Sequence, residues 1–459
     1  MGIAGYTLKA VAFAMVSPQF AITLIMLAFI FYGKNKRTVL MQRMILGEQV
    51  NSPLELTMSQ LVLGIIGGVI SSLILSYLGV MFGENSGIHL MFVFSLLLLF
   101  FSPRFICFSY SGALLGLLSI ILNLIKDPLL TMYPTIEIIN RPFYIDIAAL
   151  MTLVGVLHIV EGLLVSVDGH RGAIPIFTNR DGKILGGFAL KRYWAMPIAI
   201  LMILSNEAGA IGQNIITPSW WPIMKSPLTL SILTMAVVSI MPFYGVLGYN
   251  SITFTRSKGE KSAMSGIGIL IYGITLTLVA QLARISLSLQ LFVILFAPLA
   301  HEIMLNTQKI IESKAVPKFI SDEEGLMVLD VAPQSIAYNA GIRSGDKLLE
   351  INNSKIENES YFYKTLNEGI EEVEFKLKDS KGNIKQLVLN KGKRNKIGLV
   401  IVPRAIVSEE QSEHTKNEDT KDEDTTNKSK NEYTENKDKG FKDILEDIKK
   451  HEDKDENGD

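Results

Sequence analysis

The sequence predicts an α-helical polytopic membrane protein that carries a C-terminal β-sandwich domain and ends in a disordered tail. Of its 459 residues, 48% are hydrophobic, and the mean hydropathy of +0.30 is too apolar for an ordinary soluble chain. The net charge of −1 hides a segregation, because long uncharged runs come first and a dense charged tail comes last. No strongly basic region interrupts this order, so the composition predicts no nucleic-acid partner.

Apolar runs long enough to cross a bilayer, about 20 residues each, recur throughout residues 1–306. They lie near residues 10–32, 59–82, 88–102, 105–125, 143–166, 196–216, 228–249, 263–283 and 286–305. The third run is short and the first contains Pro18, so we expect about eight or nine transmembrane helices. The first run is too long for a signal peptide and ends in Lys34-Asn-Lys36-Arg37, so we interpret it as a permanent span.

Lys and Arg in short loops predict the orientation of the spans, because these residues are retained on the cytoplasmic side. One set of alternate loops contains thirteen of them, from Lys34 to Lys261, and the other set contains four. The first set, and the domain that follows residue 306, are therefore predicted to be cytoplasmic. The longest of these loops, residues 168–195, contains Asp181-Gly182 between apolar residues, which predicts a β-hairpin.

Ionisable residues within the spans are the first functional candidates, since charge in a bilayer is costly. The intramembrane polar candidates are His158, Glu161, His301 and Glu302. His158 and Glu161 are three residues apart and share one helical face. Polar contacts between helices or with lipid headgroups would account for these residues without any ligand.

An intramembrane metalloprotease of the site-2 type is the alternative that these residues raise. Its motif places two histidines one helical turn apart, whereas this chain has His301-Glu-Ile-Met-Leu305 and lacks the second histidine. A composite metal site built from the four candidates is a further alternative. The single cysteine, Cys107, lies in an apolar run and is interpreted as a small hydrophobe. We therefore expect no catalytic residue, no metal site and no cofactor.

A soluble domain is predicted over residues 316–404, after the transmembrane domain of residues 1–306. Its first strand precedes a one-turn helix that ends at Ala340-Gly341, and Gly345-Asp346 forms the turn into the next strand. The glycines suit positive φ angles, and Asp346 can cap the turn. The offsets of these four residues resemble the structural motif of bacterial PDZ domains. The resemblance implies a PDZ-like β-sandwich that binds extended peptides by strand addition.

The PDZ resemblance also implies where a peptide would bind. Ile397-Gly398-Leu399-Val400 is similar to the apolar-Gly-apolar loop whose backbone N–H groups hold a peptide carboxylate. A helix predicted over residues 360–368 would form the opposite wall of the groove through Tyr363 and Leu366. Both of these side chains are equally compatible with a place in the core of the domain.

The tail, residues 405–459, contains too few apolar side chains to fold and is predicted to be disordered. One segment departs from this composition, because Phe441, Ile444, Leu445 and Ile448 follow helical spacing. A short amphipathic helix over residues 440–450 would need a partner or a membrane, because isolated helices of this length are marginal in water.

The whole arrangement resembles one family. The spans, Gly169-His-Arg-Gly172 followed by Gly186-Gly187, His301-Glu302 and the terminal PDZ-like domain are similar to the MinJ-like division-site proteins of Gram-positive, low-GC bacteria. The resemblance implies a non-enzymatic adaptor at septa and poles, which links the coiled-coil protein DivIVA to the MinC–MinD division inhibitor. Membrane lipid and a second copy of the chain are the other expected partners. A PDZ-bearing membrane sensor remains an alternative.

Overall fold

The structure is a computed structural model of the chain. It describes residues 2–83, 86–99, 101, 105, 107–132, 145–204, 218–224, 237–368, 371–390 and 397–404. The tail and its predicted helix at residues 440–450 lie outside the described residues.

Helices make up most of the chain before residue 315. They are α1 (Ile3–Val16), α2 (Pro18–Leu46), α3 (Pro53–Leu78), α4 (Leu90–Leu99), α5 (Phe108–Met132), α6 (Ile147–Asp168), α7 (Lys258–Val279) and α8 (Leu287–Lys314). Local sequence sets where they begin: Ser52 caps α3, and Ser257 with Glu260 forms a capping box on α7. The helices α1 and α2 meet at a bend of 66°, where Pro18 starts the second helix.

Five of the described helices are long and apolar enough to cross a membrane, or six if the bent α1–α2 pair forms one span. This number is lower than the eight or nine that the sequence predicts, partly because α4 has only 10 residues. Lipid is the natural neighbour of the outward faces. On α7, for example, Ile267, Ile271, Ile274 and Leu278 are exposed at helical spacing.

Two of the predicted spans contain strands. The strand β3 (Lys183–Leu204) enters the run at 196–216, and β4 (Val237–Thr253) covers much of the run at 228–249. Residues 205–217 and 225–236, between them, are outside the described residues apart from the short segment at 218–224. The helix prediction is wrong for the described part of both runs. A strand buried on both faces has the same continuous apolar sequence as a membrane helix, so periodicity cannot separate the two.

The two long strands belong to one sheet. The strand β2 (Ile174–Arg180) joins β3 through Asp181-Gly182, whose φ angles are 52° and 71°, and this confirms the predicted hairpin. Antiparallel pairing of β3 and β4 then runs from Phe188 opposite Thr253 to Leu204 opposite Val237. A short strand, β1 (Met81–Gly83), pairs in parallel with the far end of β3.

The helix α3 covers the edge of β3 between β2 and β1. Gly64 and Gly68 allow this approach, because a Cβ on either would lie 2.2 Å from the carbonyl oxygen of Ala195 or Pro197. One turn further along, Ser72 Oγ accepts a 2.9 Å hydrogen bond from the N–H of Ala199. A strand edge inside an apolar domain needs such partners, since lipid offers none.

Glycines also bring α6 and α7 together. They recur at seven-residue spacing on both helices, so that Gly155 meets Gly273 and Gly162 meets Gly266. A Cβ on Gly162 would lie 2.6 Å from the carbonyl oxygen of Gly266, closer than side chains pack. This contact is the small-residue packing typical of helices in membranes.

The C-terminal module, residues 316–404, contains the first strand, the one-turn helix, the next strand and the helix near residues 360–368 that the sequence predicts, together with other strands. Its elements are β5 (Phe319–Ile320), β6 (Leu326–Val331), α9 (Ile336–Ala340), β7 (Lys347–Ile351), β8 (Ser354–Lys355), α10 (Glu359–Asn367), β9 (Glu372–Lys378), β10 (Ile384–Asn390) and β11 (Leu399–Ile401). Neighbouring strands follow the order β10-β9-β7-β6-β11. The core contains Val328, Phe362 and Phe375, each at most 1% exposed.

Candidate functional sites

The predicted turn motif of the module has the geometry that its residue types require. Gly341 ends α9, which includes Ala340, with φ 102°, and Gly345 has φ 91°. Asp346 Oδ2 accepts a hydrogen bond from the N–H of Arg343 at 2.8 Å. Burial raises the pKa of this carboxyl, although the hydrogen bond acts to lower it. The turn is also fixed to β6, because the N–H of Val328 donates to the carbonyl of Asp346 at 2.8 Å.

The predicted ligand loop lies at an edge of the module. Among the described residues, β11 pairs with β6 on one side only. Backbone bonds hold the loop: Ile397 accepts the N–H of Ala337 at 3.1 Å, and Gly398 accepts that of Ala332 at 2.8 Å. Gly398 has φ 73°, and a Cβ there would lie 2.3 Å from Cβ of Ser335. This position therefore requires glycine on two grounds, space and backbone conformation.

The two predicted groove residues on α10 have different surroundings. Tyr363 is 46% exposed and its ring lies edge-on to Phe362, whereas Leu366 is 3% exposed and belongs to the core together with Leu399. Leu366 therefore has the core position that the sequence left open for it. Tyr363 is the side chain on α10 that a bound peptide could contact.

The module is docked on the β2–β3 hairpin. Phe319 and Ile320 of β5 pair with Gly186 and Leu185 of β3. The side chain of Val400 faces away from the module core and joins the same buried apolar cluster as Phe319. This docking places the predicted ligand loop beside the membrane domain.

A charge pair adds to the docking. Lys258, the first residue of α7, donates to both carboxylate oxygens of Asp330 on β6 at 2.9 Å. Asp330 is 5% exposed. A third of the lysine remains exposed, so the pair is worth at most about 1 kcal/mol.

The intramembrane candidates come together, and a residue that the sequence analysis interpreted as a hydrophobe joins them. His158 of α6 and His301 of α8 both present Nε2 to Sγ of Cys107, at 3.0 and 3.6 Å. Glu161 Oε2 lies 3.9 Å from Nε2 of His158. Glu302 accepts a hydrogen bond from the hydroxyl of Tyr110, which also contacts His301.

We call Cys107, His158 and His301 the Cys-His-His cluster. Their ligand atoms all lie within 4.8 Å of one another, and both imidazoles are buried. No pattern in the sequence points to Cys107, because it is 51 residues from His158 and 194 from His301.

Comparisons with known proteins agree with the two-part architecture. The PDZ domain model matches residues 327–373. Over 277 residues the chain is 22% identical to the protein called "Cell division topological determinant MinJ" of Bacillus subtilis (strain 168). This match covers 59% of the chain but only 65% of that relative. No solved structure matches the chain. The chain is therefore similar to MinJ over part of its length, and it contains a PDZ domain.

Proposed function

We propose that this chain is a non-enzymatic membrane scaffold for selection of the cell-division site. The observation that carries the proposal is the similarity to a topological determinant of division over 277 residues. In this proposal the chain links a DivIVA-type coiled-coil protein to the MinC–MinD inhibitor, through its PDZ module and its loops. The transmembrane domain, residues 1–306, holds the module, residues 316–404, at the bilayer.

Peptide recognition would take place at β11. A partner strand that adds to this edge would run past Gly398 and beneath Tyr363, in the manner of PDZ ligands. The docking of β5 on β3 supports a scaffold, because the groove keeps a fixed position relative to the membrane domain. A fixed groove costs a ligand less ordering entropy than a module on a free linker would.

A cytoplasmic module is part of the proposal and depends on the distribution of Lys and Arg. The long β3–β4 pair returns the chain to its starting side, as a pair of helices would, so replacing these two spans by strands keeps the loops before β3 and after β4 on the same side. We further propose that the chain concentrates at septa and poles, contacts lipid with its basic loops, and self-associates.

Localisation in dividing cells tests the division role. A fluorescent fusion of the full chain is expected at septa and poles, and uniform membrane staining would contradict the proposal. A matched fusion that lacks residues 316–404 separates anchoring from recognition. Loss of septal enrichment with retained membrane staining is expected for that fusion.

Binding of purified DivIVA-type and MinD-type proteins to the full chain in detergent tests the groove. Tyr363→Ala removes an exposed ring that also lies edge-on to Phe362, and it is expected to weaken capture of the peptide partner about 10-fold or more, as for an aromatic interface residue. Ile384→Ala, on β10 at the other end of the strand order, is the control and should bind normally. Equal binding by both variants would place recognition elsewhere.

A further inference from the structure

We propose that the Cys-His-His cluster binds a zinc ion inside the membrane domain. Its members come from separate parts of the fold: Cys107 just before α5, His158 within α6 and His301 within α8. Thiolate sulfur and imidazole nitrogen are the usual zinc ligands, and this combination disfavours calcium and magnesium.

The hydrogen bonds around His158 leave the lone pair of its Nε2 directed at Cys107. Its Nδ1 lies 2.7 Å from the carbonyl of Val154, which can only accept, so Nδ1 carries the proton of a neutral imidazole. Tyr272 donates its hydroxyl proton to the carbonyl of Ala297 at 2.9 Å. Ser109, at 2.7 Å, must then donate to Tyr272 and has no proton left for Nε2 of His158.

The hydrogen bonds around His301 lead to the same arrangement, with a proton on Nδ1 and a lone pair on Nε2. Tyr110 donates its hydroxyl proton to Glu302, so its oxygen accepts from Nδ1 of His301 at 3.3 Å. Nε2 of His301 is therefore also a lone pair directed at Cys107. A carbonyl or carboxylate-linked partner on the far nitrogen is the arrangement that orients metal-binding histidines.

One thiol proton cannot satisfy two imidazole lone pairs. Cys107 has at most one S–H, and both Nε2 atoms converge on its sulfur. A bound cation would remove the need for a second proton. The thiol would lose its own proton, and the sulfur and both nitrogens would become ligands.

The distances suit a tetrahedral ion. Zn–S of about 2.3 Å and Zn–N of about 2.0–2.1 Å place sulfur and nitrogen about 3.6 Å apart at a tetrahedral angle. The distance from Cys107 to His301 is 3.6 Å, and that to His158 is 3.0 Å, so the sulfur would move away from His158 by about half an ångström on binding. Glu161 Oε2 lies 3.9 Å from Nε2 of His158 but outside the group of three mutually close ligand atoms, so its side chain would have to move to take the fourth position.

This ligand set differs from the helical His-Glu-x-x-His site of zinc proteases. His301 contributes one ligand only, and the others come from α6 and from the residue before α5. The ion would therefore connect three segments of the membrane domain, and metal binding would be linked to the stability of their packing.

Metal analysis of the full chain tests the site. The protein is purified in detergent with a histidine-free affinity tag, exposed to zinc and dialysed. About one zinc per chain is expected for wild type, and a several-fold loss is expected for Cys107→Ser and His301→Ala. His89→Ala removes an exposed histidine outside the cluster and should keep its zinc. A metal-free wild type, or full zinc content in Cys107→Ser, would overturn the proposal.

A second measurement does not depend on how the variants fold. Cobalt(II) added to the wild-type chain should give the sulfur-to-cobalt charge-transfer band and the intense visible bands of tetrahedral coordination. Zinc should displace both. A spectrum of octahedral cobalt without the charge-transfer band would overturn the proposal. Glu161→Gln is expected to retain the sulfur band with altered visible bands, whereas an unchanged spectrum would remove Glu161 from the ligand set.

Discussion

Arg192 donates from Nε to Oδ2 of Asp168 across 2.9 Å, and each side chain is only 1% exposed. Trp194 donates to the same oxygen at 3.0 Å, and Arg192 also reaches Ser59 on α3 at 2.6 Å. The pair therefore joins the end of α6 to β3 and α3. By sequence Arg192 belongs to the charges of a predicted cytoplasmic loop, whereas in the structure it lies in a buried ion pair.

Breaking this pair should cost far more than breaking a surface pair. Arg192→Met leaves the buried Asp168 carboxylate with the half-exposed Arg171, at 3.5 Å, as its remaining cationic neighbour, and we expect a loss of up to about 3–5 kcal/mol in unfolding free energy. Denaturant unfolding in detergent measures it. Arg180→Ala is the control, since its pair with Asp181 is exposed and worth at most about 1 kcal/mol. Similar losses for both variants would contradict the assignment.

The contact between α6 and α7 should not tolerate a methyl group. Gly162→Ala places a Cβ 2.6 Å from both the Gly266 carbonyl and the Leu270 N–H, so we expect a loss of about 1–3 kcal/mol. Gly33→Ala on α2 is the matched control, because no atom lies within 4 Å of its Cβ. Higher helix propensity should make this control neutral or more stable by up to about 1 kcal/mol. The midpoint of thermal unfolding ranks the three proteins.

Docking of the module should depend on Gly186. A Cβ there would lie 2.7 Å from Cγ2 of Val402 and 3.2 Å from Cβ of Phe319, so Gly186→Val is expected to separate β5 from β3. Released residues 315–318 should then be cleaved several-fold faster by a protease, because cleavage tracks the open population. Gly83→Val, where no atom of the described part of the chain lies within 4 Å of the Cβ position, should be cleaved at the wild-type rate.

The turn between β9 and β10 should lose stability in acid. The N–H of Asn383 and the ammonium of Lys385 hold the pKa of Asp379 well below its usual range. Since the folded pKa is depressed, the stabilisation is present above the unfolded value of about 3.9 and is lost as pH falls below it.

Hydrogen exchange measures this effect on the amides of Lys381 and Asn383, which donate to Asp379 Oδ1 at 2.9 Å. Asp379→Ala should reduce their protection at neutral pH, and the difference from wild type should shrink near pH 3, with both proteins compared at the same pH. Asp379→Asn keeps an acceptor oxygen and should lose less. A difference that stays constant with pH would rule out the carboxylate as its source.

Local turn chemistry made parts of the fold predictable. Asp181-Gly182 and Gly345-Asp346 require particular backbone angles, and the structure has turns at both places. The identity of β3 could not be predicted, because residues 194–201 are buried on both faces of the strand, and such a strand needs no alternation of polar and apolar residues. Cys107 was missed for a related reason: its partners are brought to it by the packing of α6 and α8, which its own neighbours do not encode.

The strand β3 has mechanical consequences. It holds 22 residues, about 70 Å at 3.3 Å per residue, and it touches the module at Gly186 and α3 at Ala199. A force applied to the docked module would therefore load β3 in shear against β4. In this geometry many backbone hydrogen bonds must break at the same time. The force would therefore be transmitted along the paired backbone of β3 to α3.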